Sequence, residues 1–551
     1  MNILYNSRDR EDKNPFGPLR RGDSCRLRVR IPAECGAYRA CLTGDGIGAE
    51  LHRTGGDGLM DEFTGTLTPE AEGLYFYRFH IWDKNGDYDL FRDGDHTNIG
   101  EGDLWQLSVL PPDYRAPRDF RGAVYYQIFP DRFCREGDCD LTDKLLPFSV
   151  QPFSDFTPAT RDASDFAGGN LRGILSKLDY IAGLGVKVIY LNPIFMAASN
   201  HRYDTADYTR VDPMLGTEAD FAALCEGAHR RGMRIVLDGV FSHTGKNSVY
   251  FDACHVFGGG AVSAGPASKY YKWYNFTNFP DEYEAWWGIE SLPNVNEMDP
   301  DYMEFILGEK GVVAKWLHLG ADGFRLDVAD ELPDEFIAAL NRRVKAVDPE
   351  AVVIGEVWED ASCKEAYGVR RRYFTGAELD GVINFPFRKA ILDFAAGEDG
   401  GEALADTVMR LAENYPAAAL DCTMLILGNH DTERVGTLLP ERNARRAAAF
   451  LQFALPGSPV IYYGDEAGLT GGRDPMNRLP FPWGREDREL QALYRELAEL
   501  KNTVPALRTG DIRFLEAGGG AVRFVRRTGD QAVECGVDRA TGRYWVRPVT
   551  P

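Results

Sequence analysis

Positive charge is in short supply. Lys and Arg number 62 against 84 Asp and Glu, a formal charge of -22. Affinity for nucleic acid rests largely on Lys and Arg neutralising phosphates, so a polyanionic partner is excluded and a neutral one fits better. Long apolar runs are missing too. The opening MNILYNSRDRED passes into charge without a stretch of signal-peptide length, and no later segment could span a bilayer. The expectation is a cytoplasmic protein with no membrane partner. Zinc-spaced Cys/His clusters are absent as well. The ten cysteines are scattered from Cys25 to Cys535, in settings such as FAALCEG and LDCTML that read as reduced thiols in core positions. Cys134 and Cys139 form a close pair without accompanying ligands.

What is present is a core. With 44% hydrophobic and 12% aromatic residues, 551 residues can bury a large interior without disulfides, and they suit a barrel plus smaller modules. Residues 1–115 read as strands: in CRLRVRI, Cys25, Leu27, Val29 and Ile31 alternate with arginines, and GLYFYRFHIWD and LWQLSVL continue the theme. A β-sandwich follows, and PPDYRAP then reads as a linker.

From 116 to 502 short apolar runs alternate with helical periods. AVYYQIF, VKVIYLNPIF, MRIVLDGVF, DGFRLDV, AVVIGEVW, GVINFPF, TMLILG and SPVIYY are eight candidate strands, the number a closed (β/α)8 TIM barrel requires. DYMEFILGEKGVVAKWLHLG reads as one of the intervening helices. Residues 244–300, rich in Gly, Tyr and Trp, form an insertion after strand 3 that is placed to shape a cleft. Residues 503–551 return to alternation and read as a short C-terminal β domain.

Four candidate strands end in a carboxylate with polar company. They give Asp238 and His243, Arg325 and Asp327, Glu356 and Trp358, and His430 and Asp431. Any one could be a solvated cap, but in a barrel all four ends converge on one face. Several carboxylates around one pocket, with no Ser or Cys nucleophile motif, point to glycosidic chemistry, which needs one carboxyl protonated and one ionised. Arg325, two residues before Asp327, favours the ionised form there; Glu356, ending an apolar strand, can be desolvated toward the protonated form.

DGVFSH, GFRLDVADE, GEVWED and GNHD resemble, in order, the four conserved regions of the α-amylase family, glycoside hydrolase family thirteen. The resemblance runs from about Val124 to Trp483. It implies a retaining α-glycosidase with Asp327 as nucleophile, Glu356 as general acid/base and Asp431 as the carboxylate that stabilises the transition state. It also implies that Arg325, His243 and His430 line the cleaving subsite, and that Asp238 is structural.

SNHRYDTADY resembles the neopullulanase, cyclomaltodextrinase and maltogenic amylase group, which implies that His201 and Tyr203 touch the sugar, Tyr203 by stacking. GGRDPMNRLPFPW resembles the same group and would put Asp474 and Arg478 on the non-reducing side, with Trp358 on the leaving-group side. SLPNVNEM and VADE stand where that group has MPKLN-like and VANE stretches; with GEVWEDAS they are closer to amylopullulanase-like members. The substrate implied is an α-glucan, cut at α-1,4 or also at α-1,6 bonds. A transglycosylase or sugar isomerase using the same intermediate stays open, while a non-catalytic carbohydrate-binding relative would lack one of the three carboxylates.

Related enzymes bind calcium in a loop after the first strand. REGDCD and GGN align with that loop, making Asp138, Asp140 and Asn170 the candidate ligands for calcium, which wants six to eight oxygens. The N-terminal sandwich resembles modules that bind starch or help form a homodimer in this group; a plain structural brace fits it equally.

Overall fold

The computed structural model describes residues 3–138, 140–141, 148–158 and 163–549. Cys139, one half of the close pair with Cys134, lies outside them. The chain forms two compact units. One comprises residues 1–115 with 360–378 and 405–420; the other comprises 116–359, 379–404 and 421–551.

In the first unit, alternation in CRLRVRI becomes strand Cys25–Pro32, whose Cys25, Leu27, Val29 and Ile31 are buried. It pairs antiparallel with Met60–Leu67. Strand Ile47–Gly56 joins the two halves of the sandwich: its first residues pair with Arg39–Gly44 and its last with Met60–Leu67. Tyr5, Tyr77, Phe79 and Trp105 close the interior. Gln106 donates to Ser362 (3.0 Å), and the buried Glu413 lies between Arg8 and Arg92 at 3.4 and 3.2 Å.

The second unit contains the barrel. Its strands are β1 Tyr125–Ile128, β2 Val188–Leu191, β3 Arg234–Gly239, β4 Gly323–Leu326, β5 Val352–Gly355, β6 Gly381–Val382, β7 Met424–Leu425 and β8 Ser458–Tyr462. All pair in parallel, β8 returns to β1, and a parallel bridge from Ile383 to Met424 closes the ring between β6 and β7. The strands are buried almost throughout, which is why they read as unbroken runs of β-branched and aromatic residues. Helices such as Asp334–Val347 cover them, burying Phe336, Ile337, Leu340 and Val344 at helical spacing.

The helix expected across 301–320 is two helices, Pro300–Leu307 and Val312–His318. Gly308 and Gly311 make the break. A side chain at Gly308 would collide with the Glu304 carbonyl, and one at Gly311 would come within 2.8 Å of the Ile306 carbonyl. Past the last barrel helix, Arg488–Thr503, four antiparallel strands span Asp511–Pro548. Arg526 from this sheet donates to the Ala454 carbonyl (2.6 Å), and Tyr544 stacks on Phe450 at 4.7 Å.

Candidate active site

The barrel brings the strand ends together as the motifs predict. Asp238 sits on β3, Arg325 inside β4, Asp327 one residue past it and Glu356 one residue past β5. The buried Arg325 guanidinium is their hub. Its Nη1 donates to Asp238 Oδ1 (2.7 Å) and Asp327 Oδ1 (2.8 Å), and its Nη2 lies 2.8 Å from Glu356 Oε2, a charge contact without hydrogen-bond alignment. The Val328 amide donates to the same Glu356 oxygen at 2.9 Å. Val328 is held at φ 39°, a left-handed conformation that a β-branched residue rarely adopts. Such strain persists where surrounding structure over-determines it.

A second network fixes the opposite wall. Asp238 Oδ2 accepts from Tyr190 (2.6 Å) and from Tyr203 (2.8 Å). Gln127 Nε2 donates to Asn192 Oδ1 and to His430 Nδ1, both at 3.0 Å. With Nδ1 accepting, the proton of His430 is assigned to Nε2, which faces the Tyr203 hydroxyl at 2.6 Å and Asp431 at 3.1 Å. Asn192 Nδ2 also donates to that hydroxyl at 3.0 Å. Each polar atom in the chain of contacts has a defined role.

His201, His243 and His430 are neutral donors and acceptors here rather than cations. Burial pulls His201 down to about 3 and His243 to about 4; for His430 burial is joined by the charges of Arg478 and Arg325. His201 Nδ1 accepts from the Tyr203 amide (3.1 Å), which leaves Nε2 as its donor. Tyr203 stacks parallel on His430 at 5.3 Å. Trp358 donates to Glu356 Oε1 (3.2 Å), and its ring lies on Phe385 at 3.9 Å with one side still open. Arg478 pairs with Asp474 (3.1 Å), donates from Nε to the His430 carbonyl (2.9 Å) and reaches toward Asp431 at 3.7 Å.

The carboxylates do not behave as the sequence implies one by one. Arg325 alone does not decide the state of Asp327, because its charge is divided among three carboxylates. Burial pushes Asp327 well above the ordinary range; Arg325 opposes this, while the charges of Glu356 and Asp238 add to it. Asp431 is about 30% open to the cleft, yet its walls and the Glu356 charge push it up to about 7, against Arg478 and Arg325. Burial raises Asp238, Asp327 and Asp431 alike, and the Arg325 charge opposes it at each of the three.

Of the three calcium candidates, Asn170 is committed to a helix cap. Asn170 Oδ1 accepts from Gly173 (2.8 Å), capping helix Leu171–Ser176, and from Glu136 (3.3 Å), while its Nδ2 donates to the Glu136 carbonyl (2.8 Å). Asp138 is fully exposed, with Arg135 at 3.9 Å, and Asp140 is exposed. Among the described residues no three His, Cys, Asp or Glu gather in a metal-holding group. This donor set does not fit calcium's oxygen shell.

Residues 127–496 match the family described as alpha amylase, catalytic domain. The chain belongs to the α-amylase family, in its neopullulanase-, cyclomaltodextrinase- and amylopullulanase-like group. It is 34% identical over 610 residues, 95% of its own length and 40% of the relative's, to an amylopullulanase of Thermoanaerobacter thermohydrosulfuricus. It is 32% identical to a cyclomaltodextrinase of Geobacillus thermopakistaniensis, over 85% of this chain and 77% of that one. A solved cyclic alpha-maltosyl-(1→6)-maltose hydrolase from Arthrobacter globiformis superposes with a TM-score of 0.69 at 32% identity, covering 77% of this chain and 92% of that one. The chain spans less than half the length of the amylopullulanases it matches.

Proposed function

We propose that this chain is a retaining α-glucan hydrolase that cleaves α-1,4, and also α-1,6, glucosidic bonds in maltooligosaccharides, cyclodextrins, pullulan or starch. The observation that carries the reading is the single guanidinium of Arg325 touching both Asp327 and Glu356. Carboxyls gathered on one cation suit a nucleophile and acid/base pair, which lie about 5–5.5 Å apart, better than a pair with a water between them.

In the productive state Asp327 is ionised, and its carboxylate attacks the anomeric carbon as Glu356 gives its proton to the leaving oxygen. The C–O bond to the leaving sugar breaks, and a β-linked glycosyl ester on Asp327 forms. Glu356, now a carboxylate, takes a proton from water, which attacks the same carbon, expels Asp327 and leaves an α-configured product. Arg325 steadies the charge as it moves between the two carboxyls. Asp431, with His430 beside it, faces the ring that gains positive character.

Names among the relatives support the substrate class: cyclomaltodextrinase, neopullulanase and amylopullulanase. Product analysis on maltotriose, cyclodextrin and pullulan tests the reading. Release of glucose and maltose from the first two, and of panose or maltotriose from pullulan, is expected. Failure to cleave all three would remove the proposal.

A further inference from the structure

The reacting carboxylates stand at the carboxyl ends of the barrel strands, and a separate pocket lies at the opposite ends. Its volume is about 500 Å³, inside the range of about 300–1,000 Å³ that small-molecule sites occupy. Asp119 from the turn Arg118–Phe120 before β1, Lys187 just before β2 and Arg234 at the start of β3 form one wall. His229, which ends helix Glu218–His229, continues it. Asn502 from helix Arg488–Thr503 and Arg508 from helix Pro505–Thr509 form the other. Asn502 Nδ2 donates to the Gly185 carbonyl (2.7 Å), which fixes that helix against the entry to β2.

The charges around this pocket are unevenly matched. Arg234 holds Asp119 at 2.6 Å and Asp322 at 3.1 Å, and His229 Nε2 lies 2.7 Å from Asp322. Both carboxylates are thereby engaged. Lys187 is exposed and has no ion-pair partner among the described residues. Arg508 makes only a long contact, from Nη2 to the Arg121 carbonyl at 3.4 Å, and its Nε is buried without an acceptor. A buried donor left unsatisfied is costly and calls for an explanation.

A free ammonium and an underused guanidinium that line one pocket suit a small anion. The net charge of -22 repels a polyanion, but a small anion inside the pocket meets these two cations at short range while remote carboxylates are screened. A phosphate monoester carries about 1.5–2 negative charges at pH 7 and three acceptor oxygens. The fork of a guanidinium takes two such oxygens and an ammonium takes another.

From this arrangement we infer that the pocket beneath the barrel binds the phosphate group of a small molecule through Arg508 and Lys187. The pocket is much larger than a phosphate, so it has room for the group that carries it. Inorganic phosphate and a phosphorylated sugar are the two sources of this chemistry. The ligand joins the entries of β2 and β3 to the segment that leads into the C-terminal strands, at the barrel face concerned with stability rather than reaction. Its effect is therefore on unfolding.

Calorimetric titration of the full chain with inorganic phosphate and with glucose 6-phosphate, at low salt, tests the site. One saturable site of millimolar affinity or better is expected, weakened by added salt, and either ligand should raise the unfolding temperature. Tighter binding of glucose 6-phosphate would mark a sugar-borne phosphate as the ligand; equal or tighter binding of inorganic phosphate would mark the free ion. Lys187→Ala and Arg508→Gln should each weaken binding about ten- to a hundredfold, the scale of one hydrogen bond to a charged group, and Lys187→Arg should recover most of it. Because Lys187 is exposed and unpaired, Lys187→Ala is expected to unfold at the wild-type temperature without ligand and to keep the wild-type kcat on maltotriose. Maltotriose should leave the phosphate affinity unchanged. Absence of saturable binding by both ligands, an unchanged affinity in either Lys187→Ala or Arg508→Gln, or displacement of the ligand by maltotriose would overturn the site.

Discussion

Tyr203 and His430 stack with their rings 7° from parallel, and the Tyr203 hydroxyl lies 2.6 Å from His430 Nε2. The hydroxyl accepts from His430 and Asn192 and donates to Asp238, so it joins the loop after β2 to the ends of β3 and β7. Tyr203→Phe keeps the stack and removes the junction. A fall in kcat of about ten- to a hundredfold is expected, since one hydrogen bond to a charged group contributes about 1.5–3 kcal/mol. Kinetics on maltotriose check this; an unchanged kcat would show that the stack alone matters.

Gln127 acts one step further back. Its amide holds His430 Nδ1 as an acceptor and so directs the Nε2 proton toward Tyr203 and Asp431. In Gln127→Leu the ring is free to take the other tautomer. A loss of about tenfold in kcat with little change in KM is expected if about 1.4 kcal/mol of orientation is lost. NMR of the His430 ring nitrogens should show proton density moving from Nε2 to Nδ1, and an unaltered spectrum would reject the assignment.

Arg478 has two roles. Asp474→Ala combined with Arg478→Ala should weaken binding on the non-reducing side, because an acceptor and a forked donor for sugar hydroxyls are both lost. Arg478→Ala alone removes a cation that opposes the rise of Asp431, whose carboxyl sits at about 7 even with that cation beside it. Its Asp431 limb in the pH profile of kcat/KM should therefore move to higher pH; a shift to lower pH would contradict the electrostatics described.

Glu466 gives a stability prediction. It is buried, accepts from Tyr126 and Tyr180 at 2.7 Å each, and is pushed up from 4.5 to about 7 chiefly by burial. A carboxyl raised in the folded state binds its proton more tightly there than in the unfolded chain. Its contribution is therefore fully favourable below pH 4.5, declines as pH rises through that value and levels off above about 7. Glu466→Gln should flatten this decline by about 1–3 kcal/mol between pH 5 and 8 in urea unfolding. Parallel wild-type and variant curves would show that another group causes it.

Much of this site is legible in the sequence because barrel strands are short, apolar and end in the residues that react. Asp238, Asp327, Glu356 and Asp431 each follow such a run, and strand order alone makes them neighbours. Tyr190, Asn192 and Gln127 escaped notice, although each is a polar residue near the end of an apolar strand, and Tyr190 and Asn192 keep the two-residue spacing of one strand face. The ionisation of Asp327 could not be read from its spacing to Arg325, because that cation's other partners come from β3 and β5. Local chemistry also hid the break at Gly308 and Gly311, where the apolar period runs on while the backbone turns. Asn170 shows the reverse: the loop composition admits a metal ligand, and the structure uses the side chain as a helix cap.

The central claim is that Asp327 attacks the anomeric carbon and Glu356 assists from the other face of the bond. Proton NMR of the first sugar released from maltotriose, recorded before mutarotation, tests it most directly, with Asp327→Asn run alongside as the variant without the attacking charge. Two successive inversions predict the α-anomer from wild type and no turnover from the variant. Initial appearance of the β-anomer, or substantial activity in Asp327→Asn, would contradict the account.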